Sequence, residues 1–149
     1  MKKLFCSIIF ATLGFTLMAQ TSETKPAATP AKLPSAVFVW EKMQPVPATN
    51  GVRRTLFDGP TATLDKINCH ITTLNPGQTS GPPRLHLQEE VIVVKEGTIE
   101  ATFDVQSQTV GPGSVIFFAS HATTCLRNPG KVPATYTVIY YYTPLTPKS

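Results

Sequence analysis

The sequence has no block of basic residues and no stretch in which aromatic and basic residues alternate. Its 149 residues include 13 Lys plus Arg against 9 Asp plus Glu, and Lys2 and Lys3 stand at the very start. Without these two, 11 basic residues face 9 acidic ones and the formal net charge falls from +4 to +2. So small an excess gives no basis for binding nucleic acid, which we therefore exclude as a partner.

A long apolar run is also missing. The longest run, Leu4 to Met18, has 15 positions, whereas a membrane-spanning helix needs roughly 18 or more. Lysines precede the run, and Ala19 and polar residues follow it, which is typical of a secretory signal peptide. We therefore expect residues 1–19 to be a signal peptide, the protein to be exported to the periplasm or secreted, and no membrane contact after cleavage.

Cysteine is scarce. Beyond Cys6 in the expected leader, the chain has only Cys69 and Cys125. Export would bring both to an oxidising compartment, where they could form a disulfide. Both lie in predicted strands, so pairing depends on their geometry, and two buried free thiols are an equal alternative.

Helical periodicity is absent too, since no ten-residue window combines a helical period with capping residues. Residues 20–35 are mostly Thr, Ala, Lys and Pro, which predicts a disordered linker or arm. Residues 36–149 contain short segments rich in β-branched and aromatic residues, spaced by roughly 8–12 residues, and this pattern predicts one all-β domain. The segments are AVFVWEKM, GVRRTLFDG, TLDKINCHITTL, EVIVVKEG, TIEATFDV, SVIFFAS, TTCLRN and TYTVIYYY.

One polar stretch breaks this apolar pattern. Arg84 and His86 are two residues apart on a predicted strand, so their side chains share a face, and Glu90 and Gly97 follow. Residues 77–97 resemble the first motif of the cupin superfamily, in which two histidines and a glutamate bind a metal ion.

Residues 113–128 have the spacing of the second cupin motif. Gly113 and Asn128 agree with that pattern, whereas Ala119 replaces a proline, His121 a glycine and Thr124 a histidine. The resemblance covers residues 64–142. It implies a single cupin-type double-stranded β-helix, which is a jelly-roll β-barrel, and it also implies a homodimer.

Two of the four positions that bind metal in the family are altered. Arg84 and Thr124 replace histidines, so His86 and Glu90 are the metal ligands that remain. Two protein ligands are fewer than the three of a typical catalytic zinc or iron site, and a guanidinium adds a permanent positive charge. We predict no cofactor, with a divalent transition metal (Zn, Fe, Mn or Ni) as the alternative.

Arg84 itself has two interpretations. In the first, it takes the place of the metal, pairs with Glu90, and binds an anionic ligand together with His86 through its remaining donors. In the second, Arg84 turns to solvent and meets Glu89, while His86 and Glu90 form a hydrogen-bonded pair in the barrel.

Three further residues are candidates for the same pocket. Thr124 offers a hydroxyl group, and His70 shares a strand face that is predicted to line the barrel interior, although half-buried strands also place histidines outward. His121 is a candidate replacement ligand, and the alternative for it is a position at the rim.

The sequence therefore predicts an exported cupin-domain protein that binds a small polar or anionic metabolite at a partly lost metal site. The alternative is a metal-dependent oxygenase, isomerase or lyase that uses His86, Glu90 and either His121 or His70. A structural dimer with a relic pocket is a third possibility. No Ser-His-Asp set or phosphate-binding loop is recognisable, so catalytic residues are left unassigned.

Overall fold

The computed structural model describes residues 30–147, so the predicted signal peptide and most of the predicted linker lie outside the described residues. A 3₁₀ turn, Trp40–Lys42, precedes ten strands. The strands are β1 Val46–Ala48, β2 Gly51–Gly59, β3 Lys66–Leu74, β4 Arg84–Leu85, β5 Glu89–Glu96, β6 Ile99–Phe103, β7 Gln106–Val110, β8 Val115–Phe118, β9 Thr123–Arg127 and β10 Ala134–Tyr142. Residues 30–147 contain no helix that is long and apolar enough to cross a membrane.

The strands form two antiparallel sheets. The larger has the order β1-β2-β3-β10-β5-β8 and the smaller has the order β4-β9-β6-β7. From β3 to β10 the chain alternates between the two sheets except at the β6–β7 hairpin, as in a jelly roll. The predicted all-β jelly-roll barrel is therefore confirmed.

The hydrophobic core lies between the sheets and is supplied by alternate residues of their strands. Burial of each large aliphatic or aromatic side chain stabilises the fold by about 1.5–3 kcal/mol. The core residues are Leu74, Ile92, Val94, Ile99, Ala101, Ile116, Phe118, Leu126, Ala134, Tyr136 and Val138.

The strand predictions are correct for seven of the eight segments and wrong for AVFVWEKM. Residues 36–43 form a loop with the 3₁₀ turn, because β1 already pairs with the free edge of β2. The Trp40 ring instead packs against two cations of the sheet, with its centroid 4.6 Å from the Arg54 guanidinium carbon and 4.1 Å from the Lys95 ammonium nitrogen. At the C-terminal end of the predicted linker, the Leu33 N–H donates to the Pro60 carbonyl at 2.8 Å.

Two turn residues of the motifs fix the end of the barrel that adjoins Ala134. Gly97 has φ of +73°, and a Cβ atom there would lie 2.7 Å from Ala134 Cα. Asn128 is fully buried; its Nδ2 donates to the carbonyls of Leu74 at 3.0 Å and Val132 at 2.8 Å, and its Oδ1 accepts from the Gly130 N–H at 2.9 Å. The Asn128 side chain thus satisfies backbone groups at the end of β3 and in the turn before β10.

The two cysteines are free thiols in the structure. Cys69 is buried in β3, and its burial raises the pKa of the thiol. Cys125 lies in β9, in the other sheet, and its Sγ is 3.2 Å from the Gly81 carbonyl oxygen. The two residues therefore do not form a disulfide in this structure.

Candidate functional site

A cavity of about 270 Å³ opens between the two sheets. Its wall includes five of the six residues that the sequence analysis assigned to the pocket: His70, Arg84, His86, Glu90 and Thr124. Arg84 is exposed, whereas the other four are buried. The charged guanidinium therefore lies at the opening and the other side chains lie deeper.

Strand register brings these residues together. Arg84 of β4 is the cross-strand partner of Thr124 in β9, so the two altered motif positions are direct neighbours. In the other sheet, Tyr140 of β10 lies between Asn68 of β3 and Glu90 of β5. Because directly paired residues share a face, each set points into the same space.

The central contact of the site is a chain from Glu90 through His86 to Arg84. The Arg84 Nε–H donates to His86 Nε2 at 3.1 Å, and Glu90 Oε1 lies 2.9 Å from His86 Nδ1. A guanidinium can only donate, so Nε2 must be an acceptor, and the imidazole proton lies on Nδ1 facing the carboxylate. His86 is thus a neutral ring whose two nitrogens are both engaged.

Each interpretation of the sequence is correct in one part: His86 and Glu90 form the pair that the second one predicts, whereas Arg84 contacts the pocket, as in the first. No ion pair joins Arg84 to Glu90 within residues 30–147, and the carboxylate pairs with His86 instead. Nor is Arg84 directed away toward Glu89, because its Nε contacts the pocket histidine. Its terminal guanidinium nitrogens make no hydrogen bond with any residue the structure describes, so they remain available to a ligand.

Gln88, which the sequence did not indicate, completes this network. Its Nε2 donates to Glu90 Oε1 at 3.2 Å, and its Oε1 accepts from the Tyr142 hydroxyl at 3.0 Å. The Gln88 Nε2 also lies 2.9 Å from His86 Nδ1, but both are donors, so Glu90 is the acceptor that it uses. Gln88 lies in the connection between β4 and β5, where strand alternation does not indicate which way a side chain points.

His70 lies at a second polar point of the cavity wall. Its Nδ1 is 2.8 Å from Asn68 Oδ1, and its ring meets Tyr140 edge to face with ring centroids 6.3 Å apart. Burial lowers the pKa of His70 to about 4, and the positive charge of Arg53 adds to this effect. His70 is therefore neutral at physiological pH.

His121 lies outside the cavity. It is exposed and lines neither this cavity nor the second one described below, and its Nδ1 is 3.0 Å from Ser120 Oγ. Its φ of +66° is in the left-handed region, at the position where the second motif pattern has a glycine. The turn therefore directs His121 away from the pocket, which is the rim position that the sequence analysis gave as the alternative.

Arg53 supplies a second cation to the cavity, and the sequence analysis did not identify it. It is exposed in β2, lines the cavity, and is the cross-strand partner of Thr72 in β3. Its position depends on the pairing of β2 with β3, which the local sequence of β2 does not specify.

A second, more open cavity of about 360 Å³ lies on the other side of the same network. Arg84, His86, Glu90 and Tyr140 line both cavities, and Tyr142 lines the second. The Arg84–His86–Glu90 network is therefore a wall between two spaces.

The described residues do not fit a metal ion in this arrangement. Residues 30–147 contain no group of three or more His, Cys, Asp or Glu side chains that could hold a metal ion. His86 and Glu90, the two metal ligands that remain from the motif, are bonded to each other through Nδ1 of His86. The lone pair on Nε2 of His86 accepts a hydrogen bond from Arg84. A metal ion at Nε2 would have to displace a guanidinium.

Two antiparallel sheets that enclose a pocket, with motif turns at Gly97 and Asn128, are the architecture of a cupin. Residues 70–140 match the family model described as Cupin domain. Residues 70–140 therefore form a domain of the cupin superfamily.

Known proteins similar to this chain include an enzyme and two solved cupins. The mannose-1-phosphate guanylyltransferase of Escherichia coli (strain K12) is 33% identical over 69 residues, which are 46% of this chain and 14% of that enzyme. An RmlC-like cupin from Shewanella frigidimarina is 15% identical, with a TM-score of 0.62, over 75% of this chain and 95% of the other. A sugar phosphate isomerase of the cupin superfamily from Silicibacter pomeroyi is 20% identical, with a TM-score of 0.57, over 73% and 77%. At these identities the two solved structures describe the fold alone.

Proposed function

We propose that this protein binds a small anionic or polar metabolite in the 270 Å³ cavity and that Arg84 has taken over the position of a lost metal ion. The observation that carries this proposal is the bond from Arg84 Nε to His86 Nε2. It uses the imidazole lone pair that would otherwise bind a metal, and it holds the guanidinium against the pocket.

The charge distribution supports an anionic ligand. Arg53 and Arg84 both line the cavity and are both exposed, so they attract anions from solvent. Glu90 carries the opposing charge, but it accepts hydrogen bonds from His86 and Gln88. Two of the similar proteins are named for phosphorylated sugars, which are also anions.

Thermal unfolding in the presence of small carboxylates and phosphates tests this proposal. A ligand that binds the folded state raises the melting temperature in a concentration-dependent way. Arg84→Gln should weaken binding by about 10- to 100-fold, because a hydrogen bond to a charged group contributes about 1.5–3 kcal/mol. Arg127→Gln is the matched control, since Arg127 pairs with Glu100 and lines neither cavity. Flat melting curves across the panel would contradict the proposal.

The alternative function is a metal-dependent enzyme, an oxygenase, isomerase or lyase. It is favoured by one observation: His86 and Glu90 keep their motif positions and His70 lines the same cavity. Elemental analysis of the untagged protein separates the two functions. One equivalent of Zn, Fe, Mn or Ni per chain would favour the enzyme, and substoichiometric metal would favour the binding protein.

We further propose that the protein is exported and forms a homodimer. The leader-like residues 1–19 support export. The outward face of the larger sheet supports dimerisation, because Val93, Val115 and Phe117 are 38%, 66% and 59% exposed on adjacent strands. Such an apolar patch is typical of a protein interface. Light scattering should give twice the chain mass, and Phe117→Glu should give the monomer mass.

A further inference from the structure

The deep end of the cavity presents an acceptor, in contrast to the donors at its opening. His70 Nδ1 contacts Asn68 Oδ1 at 2.8 Å, and an amide oxygen can only accept a hydrogen bond. In the neutral imidazole the proton is therefore on Nδ1, and Nε2 keeps a free lone pair. Nε2 makes no hydrogen bond with the described residues, although His70 lines the cavity.

The donor Arg53 in β2 and the acceptor His70 in β3 are displaced from each other by two residues along the paired strands. Arg53 is the partner of Thr72, and Thr55 is the partner of His70, two residues further along the strand. Two residues of a strand span about 7 Å, which matches the length of a ligand of a few carbon atoms. His70 is 8% exposed, whereas Arg53 is exposed, so the acceptor lies deeper than the cation.

We infer that the ligand is a hydroxylated anion whose carboxylate or phosphate meets Arg84 and Arg53 at the opening and whose hydroxyl donates to His70 Nε2. This inference rests on the proposed binding function and adds the specificity: His70 selects hydroxylated over plain anions. An analogue without a hydroxyl group leaves the lone pair of His70 Nε2 without a hydrogen-bond donor. The negative charge of Glu90 repels the anionic group of the ligand, which keeps that group near the two arginines.

Matched ligand pairs test the inference by calorimetry. Malate and succinate have the same charge and differ by one hydroxyl group, and glycerol 3-phosphate and propyl phosphate form the corresponding phosphate pair. Wild-type protein should bind the hydroxylated member of at least one pair about fivefold or more tightly. His70→Phe keeps a ring against Tyr140 but has no acceptor, so the hydroxylated ligand should bind more weakly and the ratio of the two affinities should fall close to one. His70→Gln, which retains an acceptor oxygen, should recover part of the preference.

The outcomes separate the two proposals. If neither pair binds, both the binding function and this inference fail. If anions bind through Arg84 but the hydroxyl preference is absent, or survives His70→Phe, only this inference fails. His121→Asn, which removes the exposed histidine outside the cavities, should leave the preference unchanged. Two-bond 1H–15N correlation spectra of the ligand-free protein give a direct check, because a proton on His70 Nε2 would overturn the inference without any variant.

Discussion

The turn positions and the pocket positions of the two motifs differ in what the folded structure requires of them. Gly97 and Asn128 agree with the motif pattern, and each is enclosed by backbone atoms that a different residue type would disturb. Positions 84 and 124 depart from the pattern, and their side chains face a cavity that has room for other groups. The fold therefore restricts the residue type at the turns tightly, while the cavity leaves more choice of side chain at positions 84 and 124.

Alanine at Gly97 is the most damaging change that we expect. The new Cβ would lie 2.7 Å from Ala134 Cα and from the Pro133 carbonyl oxygen, and φ is +73°. Backbone would have to move, so the free energy of unfolding should fall by about 3 kcal/mol or more. Gly113→Ala is the matched control, because its φ is +84° but nothing lies within 4 Å, and about 1 kcal/mol should be lost. Equal losses in urea denaturation would contradict this distinction.

Asn128→Ala should cost about 3 kcal/mol of unfolding free energy. It leaves the Leu74 and Val132 carbonyls and the Gly130 N–H without the partner that the amide provides. Asn75→Ala, at an exposed turn, is the control and should change stability by less than about 0.5 kcal/mol. Chemical denaturation of both variants measures the difference, and a loss below 1 kcal/mol at Asn128 would refute the assigned role.

His70 is a pocket residue that should make stability depend on pH. Burial lowers its pKa from 6.5 to about 4. Between pH 6.5 and 4, His70 binds a proton in the unfolded chain but not in the folded chain. The free energy of unfolding should therefore fall by about 2 kcal/mol as the pH drops over this range. Below pH 4 this contribution levels off, because His70 is then protonated in both states. Urea denaturation at several pH values measures it, and His70→Gln should remove this part of the dependence. The same pH dependence in both proteins would contradict the assignment.

The smallest stability change is expected for the double variant Arg84→His, Thr124→His. The two positions are cross-strand partners and line the cavity with His86 and Glu90, so four ligand-type side chains would share one space. Stability should change by less than about 1 kcal/mol, while Zn²⁺ or Ni²⁺ should bind with one equivalent by calorimetry. Neither single variant should match it. Failure of the double variant to bind metal, despite a native fold, would argue against a lost metal site.

Much of the fold could be predicted because its determinants are local. Short β-branched segments closed by Gly, Pro or Asn became strands β2, β3, β5, β6, β8, β9 and β10. AVFVWEKM has the same composition, yet it is a loop because β1 takes the strand edge that it would need. Whether a strand edge is free to pair depends on the assembled sheet, so it cannot be predicted from the sequence of one segment.

The site was predictable to the extent that motif spacing and strand alternation apply. They assign Arg84, His86, Glu90 and Thr124 to one pocket, where the structure places them. The partner of Arg84 was not predictable, because a long side chain reaches either His86 or Glu90 from the same Cα position. Arg53 was missed because its place depends on pairing between strands.

The amide of Asn128 also contributes to the register in which strand β10 pairs with β3. The last three residues of β10 are all tyrosines, so this end of the strand is aromatic on both faces and specifies its register less strongly than the core residues Ala134, Tyr136 and Val138 do. By holding the Leu74 and Val132 carbonyls together, Asn128 joins the end of β3 to the turn before β10, where Ala134 pairs with Leu74. Asn128, at the far end of the strand, thus acts together with the core residues of β10 to keep the register in which Tyr140 faces the cavity.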